Sequence, residues 1–504
     1  MIKIQVNYRG KSHNVQVDPL LNLARNLFVQ GFFKDVPLCG GLGICGNCEI
    51  LCSVNPPHPS SKDLEYFSLK KLRAGWRLAC SHYPVCSQHV KIPDHKMTPD
   101  LVQTSTDRAF CLGIDIGTTA LKWAFVRDNA RISYGRAINP QMGAGPDIMS
   151  RLSFAREDPD HQDLLKNLLR DDIRSILDLG PVPDDQVCIT GNPTMIHFLL
   201  GRDISGLAVS PYSLDYAGGS SEQVEGYSNK VFIPPLWSPF AGADISAGLF
   251  WILEKIQPPY PFLLADFGTN GELVLALSPD KYLVTSIALG PALEGVGLRF
   301  GSPFQHGVAS GFILDSQGFK TSDAWQTARV SGSGYISLLA HLLRLKLISV
   351  SGHFLPGRTP LARKIQEKIK NGRLNLTDSF YLEARDIEEI LKVKAAFTLA
   401  LSFLCAQADL TVEKLKTIFI AGALGEHSSS GDLETLGFLP PGFSHKCQVL
   451  GNTSLKGAIL LACDNSKRPN ILKQAEFVQA VNLSSNQEYI SSRFAGHMVF
   501  EYSQ

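Results

Sequence analysis

The run Cys39-Gly-Gly-Leu-Gly-Ile-Cys45-Gly-Asn-Cys48 constrains this chain more than any other segment. It sets three thiols within ten residues, and Cys80 supplies a fourth further on. Thiolates are the ligands of iron–sulfur clusters, and four of them complete a [2Fe–2S] centre. Gly40, Gly41, Gly43 and Gly46 let the backbone wrap closely and turn its N–H groups inward, because glycine tolerates positive φ. A structural zinc knot would add a second Cys-x-x-Cys or a histidine pair, and neither follows. Cys45-x2-Cys48-x3-Cys52 matches part of a bacterial [4Fe–4S] run, but the cysteine such a run needs three residues before Cys45 is Leu42. Cys52 and Cys86 are therefore read as buried free thiols.

Around this loop, Ile2, Ile4 and Val6 alternate with polar residues, and Val15 and Val17 do so again after Arg9-Gly10, which predicts a hairpin. Asp18-Pro19 reads as a helix start. Leu20, Leu23, Leu27 and Phe28 then recur at helical spacing until Gly31. Two strands, a helix and a Cys-rich loop open an α+β ferredoxin of the β-grasp type, assigned to residues 1–94. The polar, aperiodic stretch 95–108 reads as a linker. Residues 109–504 then alternate strands with helices, as in an α/β domain.

Composition sets limits on the rest. The 504 residues hold 48 basic and 47 acidic side chains, so charge makes no case for nucleic acid or an anionic membrane as partner. The longest apolar stretch, near Ala395 to Ala406, is too short to cross a bilayer and suits a buried helix. The N-terminus reads as a strand without the apolar block of a secretory signal, which predicts a cytoplasmic protein. Six of the eleven cysteines precede residue 90. The odd total and that clustering argue for a local metal or redox site and against a disulfide framework spread through the chain.

One pattern occurs twice in the α/β region. Asp115-Ile-Gly-Thr-Thr lies between two strands, and Asp266-Phe-Gly-Thr-Asn-Gly271 lies between two more, 151 positions later. By average composition Asp-x-Gly-Thr arises in such a chain on the order of a tenth of a time. Two copies predict a duplicated core, its second half beginning near residue 260. The chemistry is that of a phosphate site. Gly117 and Gly268 open tight turns whose N–H groups can face phosphate. Thr118, Thr119, Thr269 and Asn270 add donors, and Asp115 and Asp266 suit catalysis by orienting Mg²⁺ through its water shell. A third element, Gly422-Ala-Leu-Gly425-Glu426-His427, follows a strand, where glycines admit a flat ligand such as adenine.

These hairpins and the glycine-rich loop resemble the ASKHA superfamily of acetate and sugar kinases, Hsp70 and actin. Joined to the cysteine loop, whose first spacing is similar to that of adrenodoxin, they resemble the reductive activators of corrinoid proteins, the RACo or RACE family. The likeness runs through GIDIGTTALK (113–122), GNPTMIHFLLG (191–201), PFAGADISAG (239–248), DFGTNGELVL (266–275), LGPALEG (289–295), SGSGYIS (331–337), AGALGEH (421–427) and GNTSLKGAI (451–459). It implies two RNase H-like halves binding ATP and Mg²⁺. It also implies one-electron reduction of a Co(II) corrinoid on a partner protein, an external low-potential electron donor, and a homodimer. Some members carry a middle domain between ferredoxin and ATPase, and here the linker alone is expected. None of the thirteen histidines sits in Asp-x-His-x-x-Gly, the usual cobalamin loop. The corrinoid is thus expected on the partner.

Three other readings compete. A small-molecule kinase with a fused redox sensor would need a carboxylate aimed at a hydroxyl near the γ-phosphate. A chaperone-like ATPase would use the cluster for structure alone. An activator of the 2-hydroxyacyl-CoA dehydratase type would share a [4Fe–4S] cluster across a dimer.

Overall fold

The computed structural model describes residues 1–503 apart from 35, 37, 42, 44, 94–99, 104–109, 129, 228–229, 290, 295–296, 303, 305–306, 322–328, 378, 423–427 and 484–485. Alternation builds the first hairpin as expected. Strands β1 (Ile2–Tyr8) and β2 (Lys11–Val17) pair antiparallel, with Ile4 opposite Val15. Ile4, Val6 and Val17 are buried beneath them. Helix α1 (Leu23–Val29) begins later than Asp18-Pro19 because Asn22 caps it, its Oδ1 accepting from Arg25 N at 2.9 Å. Asp18 instead closes a turn by accepting from Leu20 N, and Leu20 is exposed. β3 (Glu49–Val54), β4 (Trp76–Leu78) and β5 (His89–Lys91) complete a sheet of order β2-β1-β5-β3-β4, with α2 (Ser61–Tyr66) between β3 and β4 in the chain.

Four residues of the segment read as a linker form a strand, β6 (Asp100–Gln103), at the edge of a seven-stranded sheet. That sheet continues with β7 (Cys111–Ile116), β8 (Ala120–Arg127), β9 (Ala130–Ile138), β10 (Val187–Gly191), β11 (Ser220–Gln223) and β12 (Lys230–Ile233), in the order β11-β12-β10-β7-β8-β9-β6. Three of its helices matter for the site: α3 (Ile148–Glu157), α4 (Pro193–Leu200) and α5 (Ala243–Lys255).

A six-stranded sheet repeats the plan. β13 (Phe262–Phe267), β14 (Asn270–Ser278) and β15 (Lys281–Ala288) run antiparallel, followed by helices α6 (Gly332–Arg344) and α7 (Ala384–Gln407). β16 (Thr417–Gly422) and β17 (Cys447–Gly451) extend one side and β18 (Val478–Ala480) the other. In both sheets a parallel strand flanks the first strand of the hairpin: β10 beside β7, and β16 beside β13. This is the duplicated α/β core of the ASKHA class.

The halves interlock. Helix α8 (Thr453–Cys463), from the C-terminal part of the chain, packs on the seven-stranded sheet. It crosses α5 closely: a Cβ at Gly457 would lie 2.2 Å from Ala247 O, so glycine is required there. Cys463 at its end forms a disulfide with Cys111 on β7. One bond across 352 residues makes no framework, and the six cysteines before residue 90 stay outside it. The apolar stretch near Ala395 lies inside α7, which is buried, and among the described residues no helix is long and apolar enough to cross a membrane.

Candidate functional site

The two hairpin turns face each other across one cleft, lined among others by Asp115, Gly117, Thr118, Asp266, Gly268, Thr269 and Asn270. Thr119 and Thr269 touch directly, Oγ1 to Oγ1 at 3.3 Å. The second turn is one residue tighter: Asp115 pairs with Lys122 across its hairpin, Asp266 with Glu272 across the other. Gly271 packs on Leu289 and does not line the cleft, where a Cβ would come within 2.5 Å of that side chain. Gly422 does line it, at φ +77°; a Cβ there would meet Asp266 Oδ1 at 2.2 Å. Gly425 and Glu426 fall outside the described residues.

Helix N-termini supply what the motifs did not reveal. Asn192 caps α4 and donates from Nδ2 to Thr118 Oγ1 at 3.0 Å. Asn452 caps α8 and donates to Asp115 Oδ2 at 2.7 Å, while Ser454 Oγ donates to Asp115 Oδ1 at 2.8 Å. Ser331 caps α6 and lines the same space with Ser333. Several helix N-termini pointing into one cleft make an anion site, through free N–H groups and aligned dipoles. Asn192 and Asn452 lie in segments that carried the resemblance but were given no site role; each follows a glycine at the end of a strand, in Gly191-Asn192-Pro193 and Gly451-Asn452-Thr453.

Asp244, also missed, lies in the first turn of α5 and lines the cleft beside Asp115. Burial, with the negative Asp115 adding to it, pushes its carboxyl up to about 7, against the hydrogen bond it accepts from Ile245 N. A carboxyl raised by burial beside another cleft carboxylate is a candidate functional position.

Cys39, Cys45, Cys48 and Cys80 line a second cavity. Four left-handed glycines shape the loop above it: Gly40, Gly41, Gly43 and Gly46 have φ between 61° and 92°. Backbone N–H groups aim at sulfur, Asn47 N at Cys45 Sγ (3.4 Å) and Cys80 N at Cys48 Sγ (3.5 Å). Hydrogen bonding to Cys39, then burial, holds the Cys45 thiol well above its usual range, and Cys80 does the same to Cys48. The bond with Cys48 pulls Cys80 down. Among the described residues no three His, Cys, Asp or Glu converge on one ion. The thiols are grouped two and two, which suits a two-iron cluster with two ligands to each iron. Cys52 is buried on β3 outside the cavity, its thiol pushed up to about 11 by burial, whereas Cys86 is exposed, contrary to expectation.

An anion cleft between two repeated sheets defines an ASKHA-type nucleotide domain, preceded here by a cysteine-bearing domain. Residues 110–253 match the RACo middle region, and residues 261–503 match the C-terminal, ASKHA domain of RACo. The chain belongs to the RACo family. The middle region expected to be missing is therefore present, as the seven-stranded half. One relative is the [Co(II) methylated amine-specific corrinoid protein] reductase of Methanosarcina barkeri, 24% identical over 424 residues, 74% of this chain and 73% of that protein. The corrinoid activation enzyme RamQ of Eubacterium limosum is 24% identical over 379 residues, 69% of this chain and 63% of RamQ. Among solved structures, a reductive activator for corrinoid, iron-sulfur protein shares the fold, with a TM-score of 0.69 at 20% identity, over 100% of this chain and 99% of that one.

Proposed function

We propose that this protein is a cytoplasmic, ATP-dependent reductive activator that returns the Co(II) corrinoid of a partner methyltransferase protein to Co(I). Cys39, Cys45, Cys48 and Cys80 would hold a [2Fe–2S] cluster, whose chemistry would be to supply one electron drawn from an external low-potential donor. The observation that carries this reading is one chain joining a four-thiol cavity to a two-hairpin anion cleft; the relatives' names supply the corrinoid.

Each group in the cleft has a task. Asp115, fixed by Asn452 and Ser454, presents a carboxylate whose orientation does not depend on the ligand. Asp266 faces it from the other half, close enough to Gly422 that no side chain fits there. Both would orient Mg²⁺, while Thr118, Thr269 and the helix N-termini would take the phosphates. If electron transfer is uphill by on the order of 100 mV, it costs about 2.3 kcal/mol. Differential nucleotide binding between two states supplies about 1–3 kcal/mol, so binding energy suffices without phosphorylating a substrate.

Mixing the reduced, cluster-loaded protein with a Co(II) corrinoid protein and following cobalt absorbance tests this. ATP-dependent appearance of Co(I) is expected. An unchanged spectrum, with phosphate transferred to a small molecule instead, would sink the reading.

A further inference from the structure

The cysteine-bearing domain rests on both halves of the nucleotide domain, and its contacts gather around the thiols. Phe28 of α1 is buried within the core of the seven-stranded half, its ring 5.9 Å from Phe154 of α3. Arg25 lies over the Phe154 ring at 4.8 Å and pairs with Glu157. A Cβ at Gly40 would come within 2.8 Å of Gly145 Cα, and Gly143 and Ala144 close the thiol cavity on that side. From the other half, Arg329 donates to Asn47 Oδ1 at 3.2 Å and Arg299 to Glu65 O at 3.1 Å.

The segment that covers the thiols is also tied to the first phosphate hairpin. Asn139 Nδ2 donates to Gly117 O and Asn139 N to Thr119 O, both at 2.9 Å. Arg151, fully buried, donates from Nη2 to Thr118 O at 2.6 Å and from Nε to Gly145 O at 3.0 Å. One guanidinium thus bridges the phosphate turn and the turn against which Gly40 docks. Its fork is planar and rigid, and an always-charged buried group is costly to leave partly bonded. A displacement of Thr118 must therefore carry Gly145 with it or break a bond that burial makes expensive.

We propose that Arg151 is a positioning residue that couples nucleotide occupancy at Thr118 to docking of the cysteine-bearing domain at Gly145. The inference rests on the reading of the cleft as a nucleotide site. Linkage makes it reciprocal: whatever factor nucleotide imposes on docking, docking imposes on nucleotide affinity.

That reciprocity is the test. Affinity for a non-hydrolysable ATP analogue with Mg²⁺ is measured by calorimetry on the full, cluster-loaded chain. Arg25→Glu loosens docking through Glu157 without touching the cleft, and hydrogen exchange in α1 verifies the loosening. We expect the analogue's Kd to change by about five-fold or more, and Arg25→Glu combined with Glu157→Arg to restore it. In an Arg151→Met background the Arg25→Glu change should leave Kd where it was. Arg151→Lys, which keeps the charge but loses the fork, replaces Arg151→Met if that variant does not fold. A merely structural Arg151 would shift Kd by one factor whichever residue stood at 25. Loosened docking with an unchanged Kd overturns the coupling, as does an Arg25 effect that survives loss of Arg151. A chain that binds no nucleotide overturns both proposals. One that binds it but reduces no Co(II) overturns the activator reading alone and leaves the coupling measured.

Discussion

At the scale of single residues, the two sites divide cleanly between what neighbours in sequence determine and what only packing brings together. Cys48 shares its cavity with three thiols and lies apart from the cleft. Cys48→Ser is expected to abolish the cluster's visible absorbance and cobalt reduction while nucleotide binding persists, since Cys48 is not among the residues that line the cleft. Cys52→Ser should keep the spectrum. Asp244 makes a different kind of statement. Its folded-state pKa, about 7, is above that of an unfolded aspartate. The folded state therefore binds more protons between about pH 4 and pH 7, and stability falls as pH rises through that window. In nucleotide-free protein, Asp244→Asn should raise the melting temperature more at pH 8 than at pH 5, because the amide keeps the Ile245 hydrogen bond without the charge. Equal shifts at both pH values would mean Asp244 is not held protonated.

Elements explain which parts were legible beforehand. The cysteine loop and the Asp-x-Gly-Thr turns are short, and their chemistry depends on residues a few positions apart, so spacing alone exposed them. Asn22 displaced the expected start of α1 because a capping hydrogen bond outweighs the placement of a proline. Asp244 lay in a segment of the resemblance with no role attached and Arg151 gave no signal, since each acquires its role from a partner on another element: Asp115 in one case, Thr118 and Gly145 in the other. Gly422 sits between these extremes. Its place suggested room for a flat ligand such as adenine; what the structure sets against it is Asp266 on the neighbouring parallel strand. Gly422→Ala meets a backbone at φ +77° and a carboxylate at 2.2 Å together. The left-handed conformation alone costs about 1–2 kcal/mol. We expect nucleotide affinity to fall by at least ten-fold in titration, with the cluster spectrum unchanged. Equal affinity would mean that Asp266 does not need its present position.

Across the whole molecule, Phe28 is the residue whose ownership is ambiguous. It belongs by sequence to the cysteine-bearing domain and by burial to the core of the neighbouring half. Truncating a buried phenylalanine costs about 3–5 kcal/mol, but here the lost contacts lie between domains. The cost of Phe28→Ala should therefore fall on docking and leave each domain folded. Domains joined by an interface of this kind melt together only while docking is strong compared with the difference in their own stabilities. The expected outcome in calorimetry is that Phe28→Ala separates one thermal transition into two, the cluster spectrum vanishing in one of them alone. Charge reversal at Arg25 perturbs the same interface from its polar edge, so Phe28→Ala combined with Arg25→Glu should separate the transitions little further. A single cooperative transition, lowered as a whole, would mean that Phe28 stabilises the fold rather than the docked arrangement, and that the two domains do not part.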